Sequence, residues 1–221
     1  MKKILTILLF LLIAGCGTSR KRDLLPETET QFSEKITCEA YLFDARITRD
    51  KKYNSFRLEL YQTDSLIGLS GRGYLGKGAL KGWISHDSLL VYFPTVQEYV
   101  KEANGDVWKS FKCVDEENQL NLFDLITSLP EDIIPRDKFE LVILKNEDAE
   151  KEYRITKADC DWIITADYDL REKGWRLKEF HISEGEDFEL RGKRREYRDE
   201  AKIKTGRYTP QISEEALRVI L

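Results

Sequence analysis

The chain has 221 residues, 40 of them acidic and 36 basic, for a net charge of −4. Such a balance excludes a general electrostatic attraction for nucleic acid or for anionic lipid. Apolar residues make up 41% and charged residues 34%, the proportions of a soluble globular domain.

The N-terminus opens on Lys2 and Lys3, followed by an apolar run over residues 4–13 in which Thr6 is the only polar side chain. That run is shorter than the roughly 20 residues a membrane-spanning helix needs, but it fits the apolar core of a signal peptide, about 7–15 residues. Ile13-Ala14-Gly15-Cys16 then resembles a lipobox. The resemblance implies a diacylglycerol on the Cys16 thiol, cleavage after Gly15 and acylation of the new amino group. Two or three acyl chains hold a protein at a membrane essentially permanently, where one does not. Residues 1–15 are thus expected to be a lipoprotein signal peptide, residues 16–31 a lipidated polar tether, and residues 32–221 the folded domain. Gly17 stands where an Asp would mark inner-membrane retention in the enteric sorting system. By that analogy the expected address is the outer membrane, facing the periplasm.

Three cysteines remain for the body: Cys38, Cys113 and Cys160. In an oxidising compartment one pair of them can form a disulfide, or all three can be buried thiols, and spacing does not choose. No C-x-x-C occurs, so neither a thioredoxin-like site nor a zinc ribbon is supported.

From residue 32 onward the pattern is mostly one of strands. Ile36, Cys38, Ala40 and Leu42 alternate with Thr37, Glu39, Tyr41 and Phe43. Phe56, Leu58 and Leu60 alternate with Arg57, Glu59 and Tyr61. Further strands are predicted over residues 65–69, 74–84, 89–93 and 97–101, with Asn104-Gly105 as a turn. Residues 116–129 place Leu120, Phe123, Ile126 and Leu129 at helical spacing, ending before Pro130, and Pro130 and Pro135 bracket a short connector. Strands resume over 139–144, 153–158 and 162–169. Lys173-Gly174 turns the chain into a strand over 175–182, and 188–197 and 201–209 read as the last two. A short amphipathic helix is predicted from Ser213. About ten strands with one internal helix make a mainly β fold, an unclosed antiparallel β-barrel or curved sheet with a few covering helices.

Gly71-Arg72-Gly73-Tyr74-Leu75-Gly76 spells a dinucleotide motif, but more glycines follow where a helix is required, so it reads as a glycine-rich bend. His86 in Ser85-His86-Asp87-Ser88 reads as a turn, and His181 as structural. Asp159, Asp161, Asp167 and Asp169 lack calcium-loop spacing and read as a solvated hairpin face. No catalytic set, metal ligand set or cofactor is expected. Lys193-Arg194-Arg195-Glu196-Tyr197-Arg198 reads as a strand laced with cross-strand ion pairs, with partner docking as its functional alternative.

A curved sheet leaves a concave face that a helix or an apolar ligand must fill. The expected ligand-binding residues are Phe56, Leu58, Leu60, Trp83, Trp162, Ile164, Trp175 and Leu177, with the helix near residues 120–129 as a lid. The strand Phe56-Arg57-Leu58-Glu59-Leu60, the run from Gly82-Trp83-Ile84 to Phe93-Pro94 with Glu98-Tyr99 after it, Trp175-Arg176-Leu177-Lys178 and Arg194-Arg195 together resemble the LolA/LolB-like lipoprotein-carrier superfamily over residues 32–212. The resemblance implies an unclosed barrel with helices over its mouth that binds lipid or the acyl chains of lipoproteins without catalysis. The segment over 68–82 offers only Leu69, Tyr74, Leu75 and Leu80 in place of the receptor's protruding hydrophobic loop. The rival expectation is an interaction module docking on an envelope protein through residues 191–198, with a filled barrel and no ligand.

Overall fold

The computed structural model describes residues 34–73, 76–104, 106, 108, 120–158 and 160–219. Cys16, the signal peptide, the tether, residues 32 and 33, Tyr74, Leu75, Gly105, Cys113 and Asp159 lie outside them.

Alternation of apolar and polar residues builds most of this chain into twelve strands of one sheet: β1 (Lys35–Arg49), β2 (Lys52–Gln62), β3 (Leu66–Arg72), β4 (Gly78–Ser85), β5 (Ser88–Phe93), β6 (Glu98–Ala103), β7 (Glu140–Asn146), β8 (Glu150–Thr156), β9 (Trp162–Arg171), β10 (Gly174–Glu184), β11 (Phe188–Lys204) and β12 (Leu217–Val219). Their spatial order is β12-β6-β5-β4-β3-β2-β1-β11-β10-β9-β8-β7. Two meanders, β1 to β6 and β7 to β11, are therefore stitched together by the long β1–β11 ladder. All neighbours are antiparallel except β12, which runs parallel to β6. The two edge strands do not pair with each other, and the barrel stays unclosed.

Tight turns follow local chemistry. Asp50 and Lys51, both at positive φ, close the β1–β2 hairpin with the twist that two-residue hairpins prefer. Bulges between Cys38 and Ala40, between Leu42 and Phe43, and between Leu177 and Glu179 bend the long strands into a trough. A register shift at Gly71/Arg72 ends β3, and the α-helix that a dinucleotide motif requires is not found among the described residues after it, where β4 begins at Gly78.

The concave face carries the main core, including Tyr41, Phe43, Leu60, Ile67, Ile84, Tyr153, Tyr168 and Leu177. It is roofed by α1 (Leu122–Thr127) and α2 (Pro130–Ile133). A second cluster extends the core around Trp108, Phe139, Ile155, Trp162 and Ile164. A third lies on the convex face, where Cys38, Tyr61, Ala201, Ile203 and Tyr208 pack together. The first half of β1 is thus buried on both sides, because its alternate residues serve different clusters.

The helix predicted over 116–129 appears as α1 followed by α2, its first four residues lying outside the described ones. Asn121 caps α1, with its side chain accepting from Phe123 N and Asp124 N. Pro130 has no N–H to extend that helix, and it opens α2 at the first helical position instead. The helix predicted from Ser213 does not form among the described residues. Residues 217–219 pair instead with β6, Leu217 N donating to Gln97 O at 2.9 Å, because an open sheet edge offers backbone partners that an isolated turn of helix cannot match. The two last predicted strands form one, β11. Its polar residues 198–200 are carried through by a bulge opposite Cys38 and Ala40.

Candidate ligand cavity

The two-residue period of β2 turns Phe56, Leu58 and Leu60 onto the concave face and Arg57, Glu59 and Tyr61 onto the other. Ile164 on β9 and Leu177 on β10 face them across the trough. From above, α1 lays down Leu122, Leu125 and Ile126. Between sheet and helix lies a cavity of about 290 Å³ whose lining residues are all apolar. Among the described residues no titratable group lines it.

Five of the eight expected residues meet there: Phe56, Leu58, Leu60, Ile164 and Leu177. The three tryptophans do not. Trp83 alternates with Ile84 and so points to the convex face, where it packs against the Tyr61–Tyr208 cluster. Trp162 is fully enclosed beside Phe139, ring centroids 5.8 Å apart, in the neighbouring cluster. Trp175 packs on the edge of the main core under the Lys151 ammonium, 5.0 Å from its ring. Leu80, Val91, Phe93 and Phe180 also line the cavity, although the sequence reading does not include them. Their signal is parity: Leu80 and Ile84 share a face that Trp83 cannot share.

The roof is held by two asparagines. Asn104, at 2% exposure, donates from Nδ2 to Ser85 O at 2.6 Å and to Asn121 Oδ1 at 2.9 Å, and its Oδ1 accepts from Leu122 N at 3.0 Å. Asn121 Nδ2 donates to His86 O at 2.9 Å. The helix N-terminus is thereby tied to the β4–β5 turn and to the end of β6.

The two ends of the trough differ electrostatically. At the start of β1, Arg176 makes a two-point contact with Glu39 at 2.5 and 2.6 Å, and the hydroxyls of Tyr41 and Tyr197 donate to the same carboxylate at 2.9 and 3.1 Å. Burial alone would raise the Glu39 pKa, but the hydrogen bonds from Arg176 and Tyr41 hold it below the usual range. At the far end of β1, Arg49 follows the cavity residue Ile47 by two positions and so shares its face. Its side chain is 13% exposed, its Nε lies 3.7 Å from Asp50, and its Nη1 is buried with no hydrogen-bond partner among the described residues.

No protein-family model and no curated protein matches the chain. Among solved structures it is similar to an uncharacterized conserved protein from Thermus thermophilus, with a TM-score of 0.41 at 8% identity, covering 97% of this chain and 98% of that one. It is also similar to a DUF1329 family protein from Desulfovibrio piger, with a TM-score of 0.34 at 11% identity, covering 74% of this chain and 86% of that one.

The other sequence motifs fall elsewhere. His86 sits on an exposed turn, 3.5 Å from Asp87 and 3.6 Å from Asp124, and His181 lies 3.2 Å from Glu189. Asp169 is bound by Arg194 and Arg171, and Lys193, Arg195 and Arg198 each reach a carboxylate. Among the described residues no group of His, Cys, Asp and Glu side chains is arranged to hold a metal ion. Cys160 is in a disulfide. Cys38 is a buried free thiol that donates to Ala201 O at 3.6 Å, and burial pushes its pKa up.

Proposed function

We propose that the protein binds a lipid, or the acyl chain of a lipoprotein, in the cavity beneath α1, and performs no chemistry on it. In this reading a lipid on Cys16 holds the domain at the outer membrane, facing the periplasm. The observation that carries the proposal is the cavity itself, about 290 Å³ of space with an entirely apolar lining. It stands near the low end of the roughly 300–1,000 Å³ typical of small-molecule sites. Burying about ten methylenes at about 0.8 kcal/mol each offers roughly 8 kcal/mol, the scale of a micromolar site before the costs of association. Arg49, two residues beyond the cavity residue Ile47 and with Nη1 lacking a hydrogen-bond partner among the described residues, is assigned to the polar end of the ligand. An interaction module without ligand calls for a filled barrel, and the open volume favours the ligand reading.

The test is titration of the full chain with a fluorescent fatty acid. Saturable binding is expected, weakened at least tenfold in Leu58→Trp, whose larger ring occupies the cavity. Absence of saturable binding, or equal binding by Leu58→Trp, sinks the proposal.

A further inference from the structure

The convex face carries a second concavity, which shares only Phe56 with the lining of the cavity. Asp44 and Arg46 alternate with Phe43, Ala45 and Ile47, which point into the core. On this outer side a groove of about 870 Å³ runs across β10, β11, β1, β2 and β3. Five of its lining residues are cations: Arg46, Arg57, Arg72, Arg191 and Lys193. Among the described residues, Asp44 and Glu179 are the only acids lining it. Glu179 lies 3.4 Å from Lys193, and Asp44 faces Arg195 at 3.5 Å, outside the groove lining.

Arg191 Nη1 lies 4.0 Å from Glu189, and Asp44 stands directly opposite Arg57 in the β1–β2 register, which leaves Arg46, Arg57 and Arg72 without an ion pair among the described residues. Arg57 and Arg72 stand directly opposite each other on β2 and β3. Like charges in that position repel at a Cβ separation of about 5 Å and destabilise a sheet. Neither forms an ion pair among the described residues. Glu59, which feels the charge of Arg72, is already held by Arg207 at 3.0 and 2.8 Å and by the Tyr61 hydroxyl. Arg46 rests its guanidinium over the Tyr53 ring at 4.0 Å, and its Nε is buried without a partner among the described residues. Lys81 also feels Arg72: burial first, then that charge, lowers its pKa. Such crowding of cations is found in a chain that is acidic overall.

We infer that this groove is a binding site for an anion bearing closely spaced phosphate groups. At the start of β1 the Arg176 guanidinium fork is matched by the two oxygens of the Glu39 carboxylate. Three unpaired guanidinium groups facing one groove call for a ligand with more charge and more acceptor oxygens, and phosphate supplies both. Of the glycine-rich segment, Gly73 and Gly76 line the groove. Gly73 N and Gly76 N donate to Lys77 O and Gly73 O, and neither glycine places a side chain in the groove. The inference does not rest on the cavity, with which the groove shares only Phe56.

The experiment uses the full chain with Cys16→Ser, so that no lipid anchor contributes. Inorganic pyrophosphate is titrated calorimetrically, and co-flotation is measured with phosphatidylglycerol and with phosphatidylcholine vesicles. Saturable pyrophosphate binding is expected, weakened by roughly ten- to a hundredfold in Arg57→Ser and in Arg72→Ser, the scale for loss of a charge-assisted contact. Arg72→Ser removes a like-charge apposition and no opposed carboxylate, so its melting temperature is expected to equal or exceed that of the parent. Pyrophosphate binding without flotation assigns the site to a soluble phosphate. Selective flotation with phosphatidylglycerol that pyrophosphate displaces assigns it to a lipid headgroup. No binding of either probe, or binding unchanged in both variants, overturns the inference.

Discussion

Asn104→Ala isolates the device that keeps the roof on the cavity. The side chain is buried and makes three hydrogen bonds, two as donor and one as acceptor, one to the end of β4 and two to the capped N-terminus of α1. At about 1 kcal/mol net for each, with buried partners left unsatisfied, the loss comes to about 3 kcal/mol. For a domain of this size that corresponds to a melting-point decrease of roughly 6–12 °C. The second consequence is specific to the roof. Leu122, Leu125 and Ile126 line the cavity from a helix of six residues. A helix that short is not stable without its anchors. Asn121 still caps Phe123 N and Asp124 N in the variant, so the helix persists but is no longer clamped to Ser85 and β6. Denaturant unfolding gives the first number, and stopped-flow release of a fluorescent fatty acid gives the second, with an off-rate expected to rise at least tenfold. A stability loss below about 1 kcal/mol, or an unchanged off-rate alongside the full stability loss, would refute the clamp.

Two further substitutions probe other parts of the fold. At Gly68 a Cβ would stand 2.4 Å from Cγ of Tyr208, so Gly68→Ala is expected to cost about 1–3 kcal/mol by overpacking, and less in a Tyr208→Ala background, as measured by a double-mutant cycle in urea. On the outer face, burial first, and then the carboxylates of Glu152 and Glu179 directly opposite on the neighbouring strands, push the Asp167 pKa up to about 6 from 3.8. A carboxyl whose folded pKa is raised contributes stability below pH about 4 that is lost as pH rises to about 6. Asp167→Asn is therefore expected to flatten the melting curve over that window and to be the more stable protein at pH 7; a variant no more stable than the parent at pH 7 contradicts this assignment.

Much of the architecture is written locally. Alternation over Phe56 to Leu60 and over Trp162 to Tyr168 defines two cavity walls, because a half-buried strand must sort its side chains by face. Lys173-Gly174 announces its hairpin through a glycine that sits at φ +111°. What is not legible depends on contacts between distant residues. Bulk alone assigns Trp83 to the concave face, yet parity with Ile84 sends it outward to Tyr208, which is over a hundred residues away in the chain. The last strand owes its form to the open edge of β6 rather than to its own weak helical pattern. The pairing of Asn104 with Asn121 joins a residue that sequence presents as a turn to one that it presents inside a helix. Arg49 and the opposed pair Arg57 and Arg72 read as ordinary surface charges until the register shows which face each occupies.

Native mass spectrometry of the full chain, extracted gently and compared with Leu58→Trp, bears most directly on the proposed cavity function. The expected spectrum shows the chain carrying one additional noncovalent lipid mass, released at higher collision energy and missing from Leu58→Trp. A chain that flies only without such a mass, and acquires none after incubation with fatty acid, contradicts a lipid-binding cavity.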